Sequence, residues 1–264
     1  MASTVVPVNT PQGPGRLFLD LADRPISILV LGHGAGGGVG STDLELLARN
    51  LPGLGTSVVR FEQPWRTAGR KVGAQPERLD EAWVGALDWL TGQDWARHPL
   101  VVGGRSAGAR VACRTAAQTN PMAIVCLAFP LHLPGRPEKS RAAELLAPDV
   151  PRLVLQGTQD SFGRPEEIRS VIGETSGVTV VELPGADHGY RIARRRAKEE
   201  GADNVFPSAS DDAVGGTKAR SAASGASNQT RTAKSSTFTA AELSMTLVTG
   251  VSRFIAAVVG ITTT

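Results

Sequence analysis

The chain has 264 residues, 41% of them hydrophobic, with a formal charge of +3; this fits a single α/β domain, 1–264, better than two. Between Arg191 and Lys234 nine Lys or Arg stand against five Asp or Glu, a balance of about +4, so the rest is near neutral and no basic nucleic-acid surface is expected. Two cysteines, Cys113 and Cys126, suggest small buried side chains and no disulfide framework.

The opening MASTVVPVNTPQGPGR has neither a basic leader nor an apolar run, so no secretory signal and a cytoplasmic location are expected. Arg16–Asp20 reads as an antiparallel edge strand. Short β-branched runs then predict strands at Ile26–Leu31, Ser57–Phe61, Leu100–Gly103, Ala123–Phe129, Arg152–Gln156 and Val178–Leu183. Helical patterns fall between them at Thr42–Asn50, Pro76–Leu90, Ala107–Gln118 and Pro165–Ile172. This alternation predicts a mostly parallel central sheet flanked by helices on both faces.

From Ala197 to Thr239 small and polar residues dominate, which predicts a mobile low-complexity insertion before the last helix. Ala240–Val259 comes closest to a membrane span, but Glu242, Arg253 and several hydroxyl side chains interrupt it. Its stripe of Leu247, Val251, Phe254, Ile255 and Val258 predicts a helix packed on the sheet instead, and no membrane partner.

Three segments carry chemistry. Gly104-Arg-Ser106-Ala-Gly108 follows an apolar strand and precedes a helix with Ala109, Ala112, Cys113 and Ala116 on one face. A G-x-S-x-G turn of this kind presents a strained serine above the helix N-terminus, and flanking glycines permit the backbone to double back. Asp160 follows the strand Arg152–Gln156, and His188 lies in the turn-rich Pro184-Gly-Ala-Asp-His-Gly after the last predicted strand. Both loops belong at the C-terminal edge of a parallel sheet, so Ser106, Asp160 and His188 are the expected nucleophile, orienting acid and general base.

Gly32-His-Gly-Ala35-Gly-Gly-Gly after the first strong strand predicts a backbone amide close to substrate. The amides of Ala35 and Ala107 are the expected oxyanion hole, with His33 ordering the loop. The same glycines also satisfy G-x-G-x-x-G and are trailed by Glu62, which makes a nucleotide-dependent oxidoreductase the sharpest rival. That reading leaves Ser106, Asp160 and His188 unexplained. Arg105, beside the serine, is expected in an ion pair, with recognition of an acidic substrate as the alternative.

In order along Ile26–His188, the segments LGHGAGGG, RFEQPW, the Gly-Arg-Lys near Gly69, GGRSAGARVA, FPLHLPGRPEKSR, LVLQGTQDSFG and GADHGY resemble the compact α/β-hydrolases called dienelactone-hydrolase-like. The likeness is strongest to the branch shared by bacterial proteins and animal testis-expressed and chromatin-complex (NSL) subunits. It implies an α/β-hydrolase fold, a Ser-His-Asp triad, no metal or organic cofactor, and no large cap domain, since only Pro130–Val150 is available for one. Dienelactone hydrolases proper carry a cysteine nucleophile, so Ser106 argues against that activity. The expected function is hydrolysis of a carboxylic ester, thioester or related acyl bond in a small-molecule substrate through an acyl-enzyme on Ser106. A non-catalytic binding or scaffolding protein using the basic segment is the alternative.

Overall fold

The computed structural model describes residues 3–71, 73–173, 177–192 and 238–260. Eight strands form one sheet: β1 (Thr4–Thr10), β2 (Gly13–Asp20), β3 (Ser27–Gly32), β4 (Thr56–Glu62), β5 (Leu100–Arg105), β6 (Ala123–Leu127), β7 (Arg152–Gly157) and β8 (Val178–Leu183). The α-helices among the described residues are α1 (Thr42–Asn50), α2 (Pro64–Thr67), α3 (Pro76–Thr91), α4 (Ala107–Arg114), α5 (Ala116–Thr119), α6 (Ala142–Leu146), α7 (Pro165–Ile172) and α8 (Ala240–Val259).

The strand order is β1-β2-β4-β3-β5-β6-β7-β8. Pairs from β4 through β8 are parallel, while β1 and β2 are antiparallel. This is the α/β-hydrolase fold. The chain leaves β3 toward β4 on one side and reaches β5 on the other, so a crevice opens where the connections diverge, at the C-terminal ends of β3 and β5.

Alternation along the strands builds two cores. Ile28, Val30, Val102, Ile124 and Val154 face one layer, where Trp83, Leu87 and Leu90 of α3 and Val111 and Ala112 of α4 cover them. Leu29, Leu31, Val101, Val125 and Leu153 face the other, against Leu44 and Leu47 of α1 and Leu247, Val251 and Ile255 of α8. Neighbouring residues thus serve opposite cores, as a period of two requires.

By length and a mean hydropathy of 1.4, α8 is long and apolar enough to cross a membrane. In the fold its Leu243, Leu247, Val251 and Ile255 are buried in the second core. Thr239 and Glu242 start it with a reciprocal capping box. The expected insertion Ala197–Thr239 lies outside the described residues except for Phe238 and Thr239.

Three local expectations change. Arg16–Asp20 lies in an antiparallel strand, but β1 and not β2 is the edge, joined through a tight turn in which Thr10 pairs with Gly13. Pro7 in β1 obscured the strand, because proline cannot donate to a ladder and is tolerated at an edge. The helix expected over Ala107–Gln118 is broken at Thr115, whose hydroxyl bonds back to the Val111 carbonyl at 2.8 Å and whose backbone leaves helical geometry. The strand expected to Phe129 stops at Leu127, since Ala128 takes a positive φ of 48°. Between β6 and β7 the short α6 is the sole helix.

Candidate active site

Ser106 sits between β5 and α4 with φ 51° and ψ −108°, a conformation that costs a non-glycine residue of order 1–3 kcal/mol. Its amide is anchored to the Leu127 carbonyl at 2.9 Å. Close approach of three backbones supplies the rest of the constraint. A Cβ on Gly104 would stand 2.5 Å from the Gly32 carbonyl oxygen, and one on Gly108 only 2.3 Å from the same atom. The glycines flanking the serine therefore let β5 and α4 close onto β3.

The histidine loop is brought to the serine by β7 and β8. A Cβ on Gly157, the last residue of β7, would lie 2.2 Å from the Ala186 carbonyl oxygen, so the loop after β8 rests directly on the backbone of β7. The Thr158 and Gln159 amides donate to Leu183 and Ala186, fastening the two loops together. His188 Nε2 then lies 3.0 Å from Ser106 Oγ, and its Nδ1 lies 2.8 Å from Asp160 Oδ2 and 3.0 Å from Oδ1. The structure thus brings together the three side chains that the sequence places 82 and 28 residues apart.

Asp160 is 1% exposed, and its carboxylate accepts further hydrogen bonds from the Phe162 amide (2.8 Å) and Gln156 Nε2 (2.9 Å). These donors compensate burial of the charge and fix the carboxylate plane. Gln156 Nε2 also faces the carbonyls of Phe129 and Gly163 at 3.2 and 2.7 Å, which joins three loops at one amide. The Phe162 ring lies 4.2 Å from the imidazole of His188, centroid to centroid, at 30°.

On the opposite flank, Gly34 and Ala35 follow β3. A Cβ on Gly34 would meet Ser106 Cβ at 3.7 Å, so this loop runs beside the nucleophile. The amides of Ala35 and Ala107 donate to no acceptor among the described residues. His33 is 4% exposed; its Nδ1–H donates to the Gly34 carbonyl at 2.8 Å, and its Nε2 accepts from the Gln63 amide at 3.2 Å. Burial holds its pKa below the usual histidine range, so the ring is a neutral clamp between the β3 and β4 loops.

The oxidoreductase expectation fails on packing and on charge. Nothing lies within 4 Å of a Cβ built on Gly37, whereas the third glycine of a dinucleotide fingerprint is needed for close contact of helix and strand. Glu62 is engaged by Arg16 at 2.5 Å. The acidic-substrate role for Arg105 fails too, because its guanidinium is turned inward: it donates to the His188 carbonyl, pairs with buried Asp43 at 3.5 Å and lies 5.7 Å over the Tyr190 ring.

A family model described as an alpha/beta hydrolase domain matches residues 25–214. The chain belongs to the alpha/beta hydrolase domain family. Among solved structures, it resembles a serine hydrolase without lid from Xanthomonas campestris at 23% identity and TM-score 0.58, covering 72% of this chain and 87% of that one. A serine hydrolase homologue from Coxiella burnetii gives 21%, 0.61, 71% and 90% in the same order. A dienelactone hydrolase from Anabaena variabilis gives 20%, 0.57, 71% and 88%.

Several residues around the site of this alpha/beta hydrolase escape sequence reasoning. Gln156 looks like the end of an apolar strand, and Phe162 like a loop aromatic; only the fold reveals that one braces Asp160 and the other covers His188. Tyr190 has φ 57° and is tied down by its hydroxyl, which donates to Leu155 O at 2.6 Å and accepts from the Ala128 amide at 2.7 Å. Its pKa is pushed well above the usual tyrosine value, chiefly by burial. Cys113 and Cys126 are free, buried and 3.7 Å apart behind the elbow. The Cys126 thiol is pushed up by its hydrogen bond with Cys113 and by burial, which suppresses the reactive thiolate. No group of three or more His, Cys, Asp or Glu among the described residues is placed to hold a metal ion.

Proposed function

We propose that this hydrolase cleaves a carboxylic ester, thioester or related acyl bond through an acyl-enzyme on Ser106. The observation that carries the reading is the unbroken hydrogen-bond chain from Ser106 Oγ through both ring nitrogens of His188 to Asp160. His188 Nε2 takes the serine proton as Oγ bonds to the acyl carbon, and it then delivers that proton to the departing oxygen or sulfur. Asp160 holds Nδ1 protonated and steadies the imidazolium. The free amides of Ala35 and Ala107 receive the charge that builds on the carbonyl oxygen, each worth roughly 3 kcal/mol. In the second half, water takes the place of the alcohol or thiol, and the same histidine activates it. The ordered motifs LGHGAGGG, GGRSAGARVA and GADHGY support placing the protein in the dienelactone-hydrolase-like branch shared with animal testis-expressed and chromatin-complex subunits, acting on a small-molecule acyl substrate without a cofactor.

Substitution Ser106→Ala is expected to lower hydrolysis of an activated ester by about 10⁴-fold or more. It should also abolish covalent labelling by a serine-directed fluorophosphonate. Labelling at another residue, or activity that survives the substitution, refutes the nucleophile. An intact protein that neither labels nor hydrolyses favours the non-catalytic binding reading.

A further inference from the structure

Resting on that reading, we propose that the acyl side of the site takes one neutral apolar group about the size of an aromatic ring, held in the cavity between α3, α4 and the loop after β4. The cavity has a volume of about 230 Å³. Its lining includes Trp65, Trp83, Leu79 and Val111, together with Ala35 and Ala107.

Stereochemistry assigns this cavity to the acyl group. The leaving atom must lie at His188 Nε2 to receive its proton, and the carbonyl oxygen must face the amides of Ala35 and Ala107. The remaining substituent on the reacting carbon is directed away from His188. The cavity shares both amide-bearing residues and takes no lining residue from the His188 loop.

Volume sets the size of the group. An apolar cavity of roughly 150 Å³ accepts benzene, so 230 Å³ admits a phenylacetyl group or a chain of similar bulk and cannot house the whole of a long fatty chain. A flat group is favoured, because the lining combines two glycines, Gly32 and Gly108, with two tryptophans, Trp65 and Trp83. The one arginine in the lining does not call for an anionic group. Arg110 spends Nε and Nη2 on the two carboxylate oxygens of Glu144, at 2.7 and 2.6 Å, which leaves the wall electrically balanced. His33 in the same lining is kept neutral by burial.

The experiment compares 4-nitrophenyl acetate, hexanoate, phenylacetate, palmitate and hemisuccinate, so that only the acyl group varies. Phenylacetate and hexanoate should exceed acetate in kcat/KM by about tenfold or more, and palmitate and hemisuccinate should fall about 100-fold below them. Leu79→Trp, which fills the cavity, should lower the phenylacetate-to-acetate ratio at least about tenfold, and Trp65→Ala should shift the preference toward longer chains. Acetate as the best substrate, or ratios unmoved by both variants, overturns the proposal. Titration of the Ser106→Ala protein with phenylacetamide, followed by indole fluorescence, reads the cavity without catalysis: saturable binding that Leu79→Trp abolishes is expected. Absence of binding refutes the cavity assignment even where the nucleophile is correct, whereas binding without any esterase activity in the parent protein refutes the nucleophile and keeps the cavity.

Discussion

The two flanks of Ser106 are built from different materials. On the histidine flank, side chains take part in every hold: Gln156 and the Phe162 amide fix the Asp160 carboxylate, Asp160 fixes the His188 ring, and Arg105 holds the His188 carbonyl. On the amide flank, backbone holds backbone, with Gly32, Gly104 and Gly108 pressed together and His33 as a polar clamp. The difference teaches where each kind of substitution should register. A proton-transfer partner must be aimed within a fraction of an ångström, so losses on the histidine flank should appear in kcat. The amide flank is set by chain path, so side chains there shape which group fits.

Gln156→Leu offers the largest break. It removes the hydrogen bonds of the Gln156 amide to the Phe129 and Gly163 carbonyls and to one oxygen of Asp160, and a hydrogen bond to a charged group is worth about 1.5–3 kcal/mol. The expected result is a fall in kcat of roughly 10- to 100-fold with KM nearly constant. A steady-state analysis in which KM rises and kcat stays level would contradict the assignment of Gln156 to Asp160.

Arg105→Ala should cost less, about tenfold in kcat, because it frees the carbonyl of His188 and not the ring. Arg105→Lys restores a charge but not the fork that reaches Asp43 and the His188 carbonyl together, so partial recovery is expected. Equal activities of the alanine and lysine variants on the same ester would remove Arg105 from the positioning of the loop.

The smallest effect sharpens the other flank. His33 has a lowered pKa in the folded chain, so as pH falls below about 6.5 the unfolded chain takes up its proton first. Stability from this residue is complete above that value and is lost as pH falls through the lowered folded pKa. His33→Asn keeps a donor for the Gly34 carbonyl and cannot titrate. Urea midpoints measured from pH 8 to 5 should fall less steeply for the variant than for the parent protein. Parallel curves would show that the clamp is not proton-linked.

Much of the polar site is legible in the sequence, because its chemistry is written in local patterns. Ser106 is announced by its two glycines, and Asp160 and His188 by turn-rich segments after apolar strands. The sheet was legible for the same reason, since Ile28 to Leu31 and Val101 to Val102 are β-branched or apolar runs between helical repeats. What stayed hidden depends on contacts across the chain. Pro7 disguised the edge strand, Thr115 gave no warning that it would break the helix, and Gln156 acquired its role from three loops that meet only in the fold. Arg105 was ambiguous because its partners, Asp43 and Tyr190, are 62 and 85 residues away.

The contact of Gly32 with Gly104 and Gly108 has a consequence for redesign. Not even a methyl group can be added at Gly104 or Gly108 without meeting the Gly32 carbonyl, so the pedestal under the nucleophile is immutable and the chamber beside it cannot be made shallower from below. Any retuning toward smaller or larger acyl groups has to come from the other lining side chains, Trp65, Leu79 and Val111, of which Trp65 also packs on His33 at 5.5 Å between ring centroids.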